Sequence, residues 1–278
     1  MTAYTETMPT SNNAPTTDAD WGALISTTLD SLPSSYTVYH TPRPGAIHRA
    51  IEHILLTPDA TDKQIDKLCF EAHYHKFVAV CVRPRNVNRA VQYLEPWPEV
   101  AVACVVAFPE GTQDTTDKEE EARNAIEQGA TEIVMVANWP LLKQKKYSSV
   151  YTDILEVRKS AAAPVKLKVI LETPQLSRTE TMAGCVIACL AGADFLQTST
   201  GLKEPGATTD LIGMMRATAD LVGRGTKVKA SGDFHTAEDC IQMLKAGADR
   251  VESSSSMDIL QELGSEELQE QGVGHSMY

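Results

Sequence analysis

Positive charge is scarce in this 278-residue chain: 25 Lys and Arg stand against 37 Asp and Glu, for a net charge of −12 and a pI near 5.0. With no basic field to attract phosphates, the sequence excludes a nucleic-acid or anionic-membrane surface as its working partner. Residues 1–20 contain no Lys or Arg, which rules out a charged secretory leader and an Arg-rich transit peptide. Their Thr, Asn, Asp and Pro read as a disordered tail. No apolar run approaches the roughly 18 residues of a membrane span. The six cysteines, Cys69, Cys81, Cys104, Cys185, Cys189 and Cys240, show neither CxxC nor Cys/His zinc spacing and lie inside apolar or helical patterns. They read as reduced packing residues. No cluster of His and carboxylates has ligand spacing at a strand end, so neither a metal nor another cofactor is implied. What remains is small-molecule chemistry in a protein that is most simply cytoplasmic.

The composition, 42% hydrophobic and 22% charged, is enough to bury the core of one domain at this length. A phrase recurs: EQGATEIVMV from Glu127, LAGADFLQTS from Leu190 and KAGADRVESS from Lys245. Each starts at the end of a helical pattern, places Gly where a helix stops in the left-handed region, and enters a short apolar strand. Further strand-like runs fall at Ile51–Leu56, Phe77–Val82, Val100–Phe108, Val165–Glu172 and Lys227–Ala230, making eight in all. Between them lie helical stretches such as Thr116 to Gln128, which carries Glu119–Glu121 in its first turns. Eight strands alternating with helices predict a closed (β/α)8 TIM barrel. An open doubly wound sheet has no GxGxxG phosphate loop to recommend it. The expected organisation is a tail over 1–20, a single barrel domain over 21–265, and a tail over 266–278, with the acidic stretch from Glu262 to Glu270 a solvated helix.

Barrel enzymes work at the C-terminal ends of their strands. Residues two apart on a strand share a face, which groups Lys168, Ile170 and Glu172, then Phe195, Gln197 and Ser199, then Lys227, Lys229 and Ser231. Lysines and a glutamate inside a barrel need partners, because charge away from water is costly. One reading is a structural Lys168–Glu172 pair. The other is a polar chamber in which neighbouring ammonium groups lower one another's pKa until one becomes an amine nucleophile or base. His73 and His75 read as surface or packing histidines, and Cys185 with Cys189 as a core pair.

Seven ordered blocks carry a family resemblance: IEHILLTPDAT (51–61), FVAVCVRP (77–84), VVAFPEG (105–111), EARNAIEQGATEI (121–133), LKVILET (167–173), ADFLQTSTG (193–201) and VKASGDFHTAED (228–239). Together the chain from about residue 45 to 262 resembles the deoxyribose-phosphate aldolases, which implies a class I aldolase-like barrel. The implied reaction is reversible aldol addition of acetaldehyde to glyceraldehyde 3-phosphate through a Schiff base, with a second lysine and an aspartate handling protons. Position by position the match is incomplete. Gln197 stands where the family has its Schiff-base lysine, in the block written KTSTG, and Val134 where it has the aspartate of ADEIDMV. Glu52 replaces an Asp and Ile54 a Thr. Lys229 and Lys168 are kept.

The resemblance also implies a phosphate site, built in the family from a Gly-Gly pair after strand seven and GASS after strand eight. Here the first is Gly232–Asp233, the second Glu252–Ser253–Ser254–Ser255, and His235 replaces an Arg. Two carboxylates beside that pocket would repel a dianion by about one to several kcal/mol at 4–6 Å. The candidate catalytic residues are Lys229, Lys168, Glu172 and Glu52. Those for substrate contact are Gln197, Ser199, Thr200, Asn138, Ser231, Asp233, His235, Glu252 and Ser254.

The reading favoured by these residues is a diverged enzyme acting on an unphosphorylated carbonyl compound by carbon–carbon or proton-transfer chemistry. The alternatives are a non-catalytic metabolite- or partner-binding homologue, and a 2-deoxyribose 5-phosphate aldolase with Lys229 as the Schiff-base amine. Family members are often dimers, so a homodimer is the implied assembly.

Overall fold

Each of the eight apolar runs forms a strand, although most are shorter than the runs themselves. The structure, a computed structural model, describes residues 14–36, 39, 44–204, 206–232 and 234–263. The strands are β1 (Ile51–Leu55), β2 (Ala79–Val82), β3 (Ala101–Val106), β4 (Glu132–Val136), β5 (Lys166–Ile170), β6 (Phe195–Gln197), β7 (Lys227–Ser231) and β8 (Arg250–Ser253). All pair in parallel, in sequence order, and β8 returns to β1 through Ile51–Val251 and Glu52–Glu252, closing the barrel.

Helices cover the outside: α1 (Asp18–Asp30), α2 (Asp62–Tyr74), α3 (Val87–Leu94), α4 (Thr115–Glu127), α5 (Trp139–Lys143), α6 (Tyr147–Ser160), α7 (Arg178–Leu190), α8 (Thr209–Val222) and α9 (Ala237–Lys245), followed by helical residues 256–263. Their starts are chemically specified. Ser177 and Glu180 form a capping box on α7, as Thr236 and Asp239 do on α9, satisfying N–H groups that have no partner in the first turn. Their ends follow the recurring phrase: Gly129, Gly192 and Gly247 have φ of +102°, +89° and +115°, a region that a side chain disfavours. At Gly129 a Cβ would also stand 2.8 Å from a Val91 methyl.

The expected tail over 1–20 extends too far. The Thr17 side chain caps α1, Asp18 accepts the Ser148 N–H at 2.8 Å, and Trp21 is fully buried, so this helix is part of the domain. Residues 1–13, 264–278 and Asp233 lie outside the described residues, and with them the C-terminal tail and most of the acidic stretch.

Two apolar layers result from the alternation of side chains. The outer one lies between strands and helices and holds most buried residues. The inner one is smaller: Cys81, Ala103, Val105, Val134, Val136 and Ile170, with Ile54, Leu56, Phe108 and Trp139 packed against it. It fills the side of the interior facing β2 to β5. The rest of the interior is charged, with side chains from β4 and β5 as well as from β1, β7 and β8.

Candidate active site

Five strands deliver the charge. Glu52 (β1), Lys168 (β5) and Lys229 (β7) are wholly inaccessible, and Glu252 (β8) is nearly so. Lys229 Nζ donates to Glu52 Oε1 at 2.5 Å and also to Glu252. Lys168 donates to the other oxygen of Glu52 and to Glu132 Oε2 at 2.6 Å. Arg250 forks onto Glu132 at 2.7 and 3.1 Å and reaches Glu52 at 3.4 Å. These six residues form one alternating network of three carboxylates and three cations, lying over the ring of Phe195, 4.7 Å from the Arg250 guanidinium. Only such matching makes six buried charges tolerable, since an unpaired one costs several kcal/mol, on the order of 3–5 when a partner is removed.

The network sets protonation. Burial opposes the negative charge of Glu52, but Lys168 and Lys229 outweigh it and hold its pKa down to about 2. For Glu132 burial is likewise overcome, by Lys168 and Arg250. Burial opposes the positive charge of Lys229, yet Glu252 and Glu52 prevail, and its pKa lies above the ordinary lysine range. The expectation that neighbouring ammoniums would make Lys229 a neutral amine is therefore corrected: Glu52 lies between the two lysines and gives each a carboxylate oxygen. Cys81 Sγ and the carboxylates of Glu52 and Glu252 lie within 4.8 Å of one another. Burial holds the thiol protonated, and the Lys229 ammonium already bonds both carboxylates, so this trio is filled by the amine.

Glu172 is not the partner of Lys168. β5 ends at Ile170, and Glu172 takes a left-handed conformation at φ 59°, which breaks the two-residue alternation before it reaches this side chain. Its carboxylate is buried with neither oxygen in a hydrogen bond. Burial raises its pKa, and the neighbouring Thr200 hydroxyl and N–H pull the other way without hydrogen-bonding geometry. Lys227 keeps the face it shares with Lys229, its Nζ 5.9 Å from the Phe195 ring centre, but is exposed at the start of β7.

At the C-terminal ends of β6 to β8 the polar side chains bond to one another. Gln197 Nε2 donates to Glu252 Oε2 and to the Ser199 carbonyl, both at 3.3 Å, while its Oε1 has no partner. Ser231 Oγ donates to Glu252 Oε1 at 2.9 Å, and Ser199 Oγ donates to the Ser231 carbonyl at 3.1 Å. Thr200 Oγ1 accepts from the Leu202 N–H. The Glu252 carboxylate is therefore turned into the barrel, where the Lys229 ammonium pairs with its charge. His235 is exposed, 3.0 Å from Ser255 Oγ. Asn138 caps α5 with its side chain. Ser254 lines a separate cavity of about 170 Å³ with His53, Gln64, Lys67 and Glu71. The structure thus gathers Lys229, Lys168, Glu52, Glu252, Gln197, Ser231 and Ser199, and leaves Glu172, Thr200, His235, Asn138 and Ser254 outside that network.

Glu132 and Arg250 were not singled out in the sequence, although the same alternation reaches them: each lies two residues before an inward position, Val134 and Glu252. Lys203 was also passed over; its Nζ lies 4.8 Å from the Trp139 ring centre and 3.5 Å from Glu110.

Comparison with known proteins agrees with this architecture. A profile of the DeoC/LacD family aldolases matches residues 46–261. A deoxyribose-phosphate aldolase of Coccidioides immitis is 44% identical over 255 residues, covering 90% of this chain and 95% of the relative. One from Thermotoga maritima is 45% identical over 215 residues, covering 77% and 85%. Among solved structures, a candidate deoxyribose-phosphate aldolase from C. immitis superposes with a TM-score of 0.86 at 44% identity, covering 88% of this chain and 97% of that one. The tetrameric deoxyribose phosphate aldolase of Aeropyrum pernix gives 0.74 at 27% identity, covering 87% and 97%.

Proposed function

Since the chain belongs to the DeoC/LacD family of aldolases, which are lyases, we propose that it cleaves 2-deoxyribose 5-phosphate reversibly through a Schiff base on Lys229. One observation carries this reading. In the β6–β7 ladder Lys229 pairs with Gln197, so the retained amine is the immediate neighbour of the position where the family's lysine is replaced. An amide cannot form an imine; the adjacent amine can.

The electrostatics support the role in a specific way. Ammonium plus aldehyde gives iminium plus water, so the nitrogen's positive charge is unchanged across the condensation. The carboxylate of Glu52, held beside the nitrogen by Lys168, stabilises the ammonium and then the iminium, the electron sink that carbon–carbon cleavage needs. The cost falls on the first step, because attack requires the small fraction of amine that has lost its proton. Lys168 holds Glu52 in place from the far side.

A phosphorylated substrate is favoured over the unphosphorylated compound first expected. Glu252 spends its charge on Lys229 rather than on the phosphate pocket, and the relatives named above are deoxyribose-phosphate aldolases. A purely structural role is disfavoured, because apolar residues of similar volume commonly match or exceed the stability of a buried ion network. Purified protein assayed with 2-deoxyribose 5-phosphate beside Lys229→Arg, which keeps the charge but cannot form an imine, tests the proposal: turnover by the first and none by the second is expected. An inert wild-type protein overturns it.

A further inference from the structure

We propose that Glu252 is the acid–base catalyst of this site, a carboxylate that stands on β8 in place of the one missing from β4. The inference rests on Lys229 as the Schiff-base amine. At position 134 of β4, where the resemblance leads one to expect an aspartate, the side chain is valine, part of the apolar half of the interior. At position 252 of β8, where the same resemblance leads one to expect glycine, it is glutamate, buried and bonded to the Lys229 nitrogen. One carboxylate is lost from β4 and one is gained on β8, across the barrel.

Counting donors shows what Glu252 does when the Schiff base forms. An ammonium has three N–H bonds, and Lys229 uses them to hold Glu52 and Glu252 together. An iminium has one N–H. Formation of the imine must therefore release one of the two carboxylates. Glu52 stays fixed by Lys168 and by Arg250 at 3.4 Å. Glu252 keeps only neutral donors, Ser231 Oγ at 2.9 Å and Gln197 Nε2 at 3.3 Å. Glu252 is the carboxylate set free, and its oxygen becomes available to take a proton at the moment a base is needed.

The proton inventory closes. The Lys229 ammonium and the sugar aldehyde give iminium and water. Glu252 then takes the proton of the C3 hydroxyl; C3–O becomes a carbonyl, the C2–C3 bond breaks, and its electron pair forms the enamine as the iminium π pair moves onto nitrogen. The three-carbon aldehyde phosphate departs. Glu252 returns the same proton to C2, giving the iminium of acetaldehyde, which water hydrolyses to acetaldehyde and the ammonium. Gln197 orients Glu252 throughout, which gives the amide at that position a function.

The test compares wild type, Glu252→Gln and Glu252→Asp for cleavage of 2-deoxyribose 5-phosphate and for borohydride trapping at Lys229. Glu252→Gln is expected to lose about 100-fold or more in turnover while still giving the trapped adduct, which also shows that the amine site is folded; Glu252→Asp regains part of the rate. Cleavage by Glu252→Gln within about threefold of wild type overturns the role of Glu252 and leaves Lys229 untouched. Loss of rate without recovery in Glu252→Asp, with trapping intact, assigns Glu252 to packing and overturns it as well. A wild-type protein that neither cleaves nor traps removes the reading of Lys229, and this inference falls with it.

Discussion

Glu52 on β1 bonds Lys168 through one carboxylate oxygen and Lys229 through the other, so a single side chain couples the lysines of β5 and β7 across the barrel. Removing its charge while keeping its shape should unbalance both. Glu52→Gln is expected to cost about 3–5 kcal/mol, because two buried cations lose a partner at once. Chemical denaturation of the variant beside wild type measures it; a loss under about 1 kcal/mol would mean the network is not the support that the burial of its members suggests.

The same carboxylate sets an acid limit. Its pKa is held to about 2, below its ordinary value of 4.5, so its contribution to stability is complete above pH 4.5 and is lost as pH falls towards about 2. Lys229 works in the opposite sense: with its pKa raised above 10.5, its contribution is complete below that pH and is lost only as pH rises beyond it. Stability followed by circular dichroism should therefore hold through the neutral range and fall away in acid, with the acid transition weakened in Glu52→Gln.

Catalysis should have a different pH dependence from stability. An amine held protonated well above neutrality gives a cleavage rate that climbs about tenfold per pH unit from neutral into the alkaline range. A rate that is flat across that range would mean that deprotonation of Lys229 does not limit the reaction.

Gln197→Lys should move that profile. A lysine there would compete with Lys229 for Glu252, whose Oε2 lies 3.3 Å from the present amide nitrogen, and two ammoniums sharing one carboxylate lower each other's pKa. Turnover of 2-deoxyribose 5-phosphate near pH 7 is expected to rise about tenfold for each unit by which the amine is lowered.

Glu172→Gln should be stabilising near neutral pH. Burial raises the pKa of this carboxylate, so its charged form opposes folding above its ordinary pKa of 4.5. The gain, read as a higher Tm, should shrink as pH falls towards that value and wild-type Glu172 takes up its own proton. An unchanged Tm at pH 7 would show that the neighbouring Thr200 already compensates the charge.

Most of this fold is legible in the sequence, because a barrel is a repeat of one rule. Gly129, Gly192 and Gly247 mark the same helix-to-strand junction, and apolar runs between caps mark the strands. Inward positions follow from alternation as long as the strand is regular, which correctly brings Lys168 and Lys229 together with Gln197 and Ser231. The rule fails at Glu172 because a left-handed residue ends the alternation, a conformation that nothing in LKVILET announces. It also says nothing about which charge pairs with which. Closure of β8 on β1 is what brings Glu52 beside Glu252 and sets the direction of the Lys229 pKa shift. Glu252 read from sequence is a repulsive carboxylate in a phosphate site; in the structure it is an ion-pair partner. That the domain takes in Asp18, ahead of the expected bound at residue 21, rests on a contact between Asp18 and Ser148, far apart in the chain.

The central claim, that Lys229 carries the Schiff base, is tested most directly by treating the wild-type protein with 2-deoxyribose 5-phosphate and borohydride and mapping the adduct by peptide mass spectrometry. The account predicts a reduced adduct on the peptide containing Lys229 and none in Lys229→Arg. An adduct on Lys168 or Lys203 instead, or cleavage of the substrate with no adduct on any lysine, would contradict it.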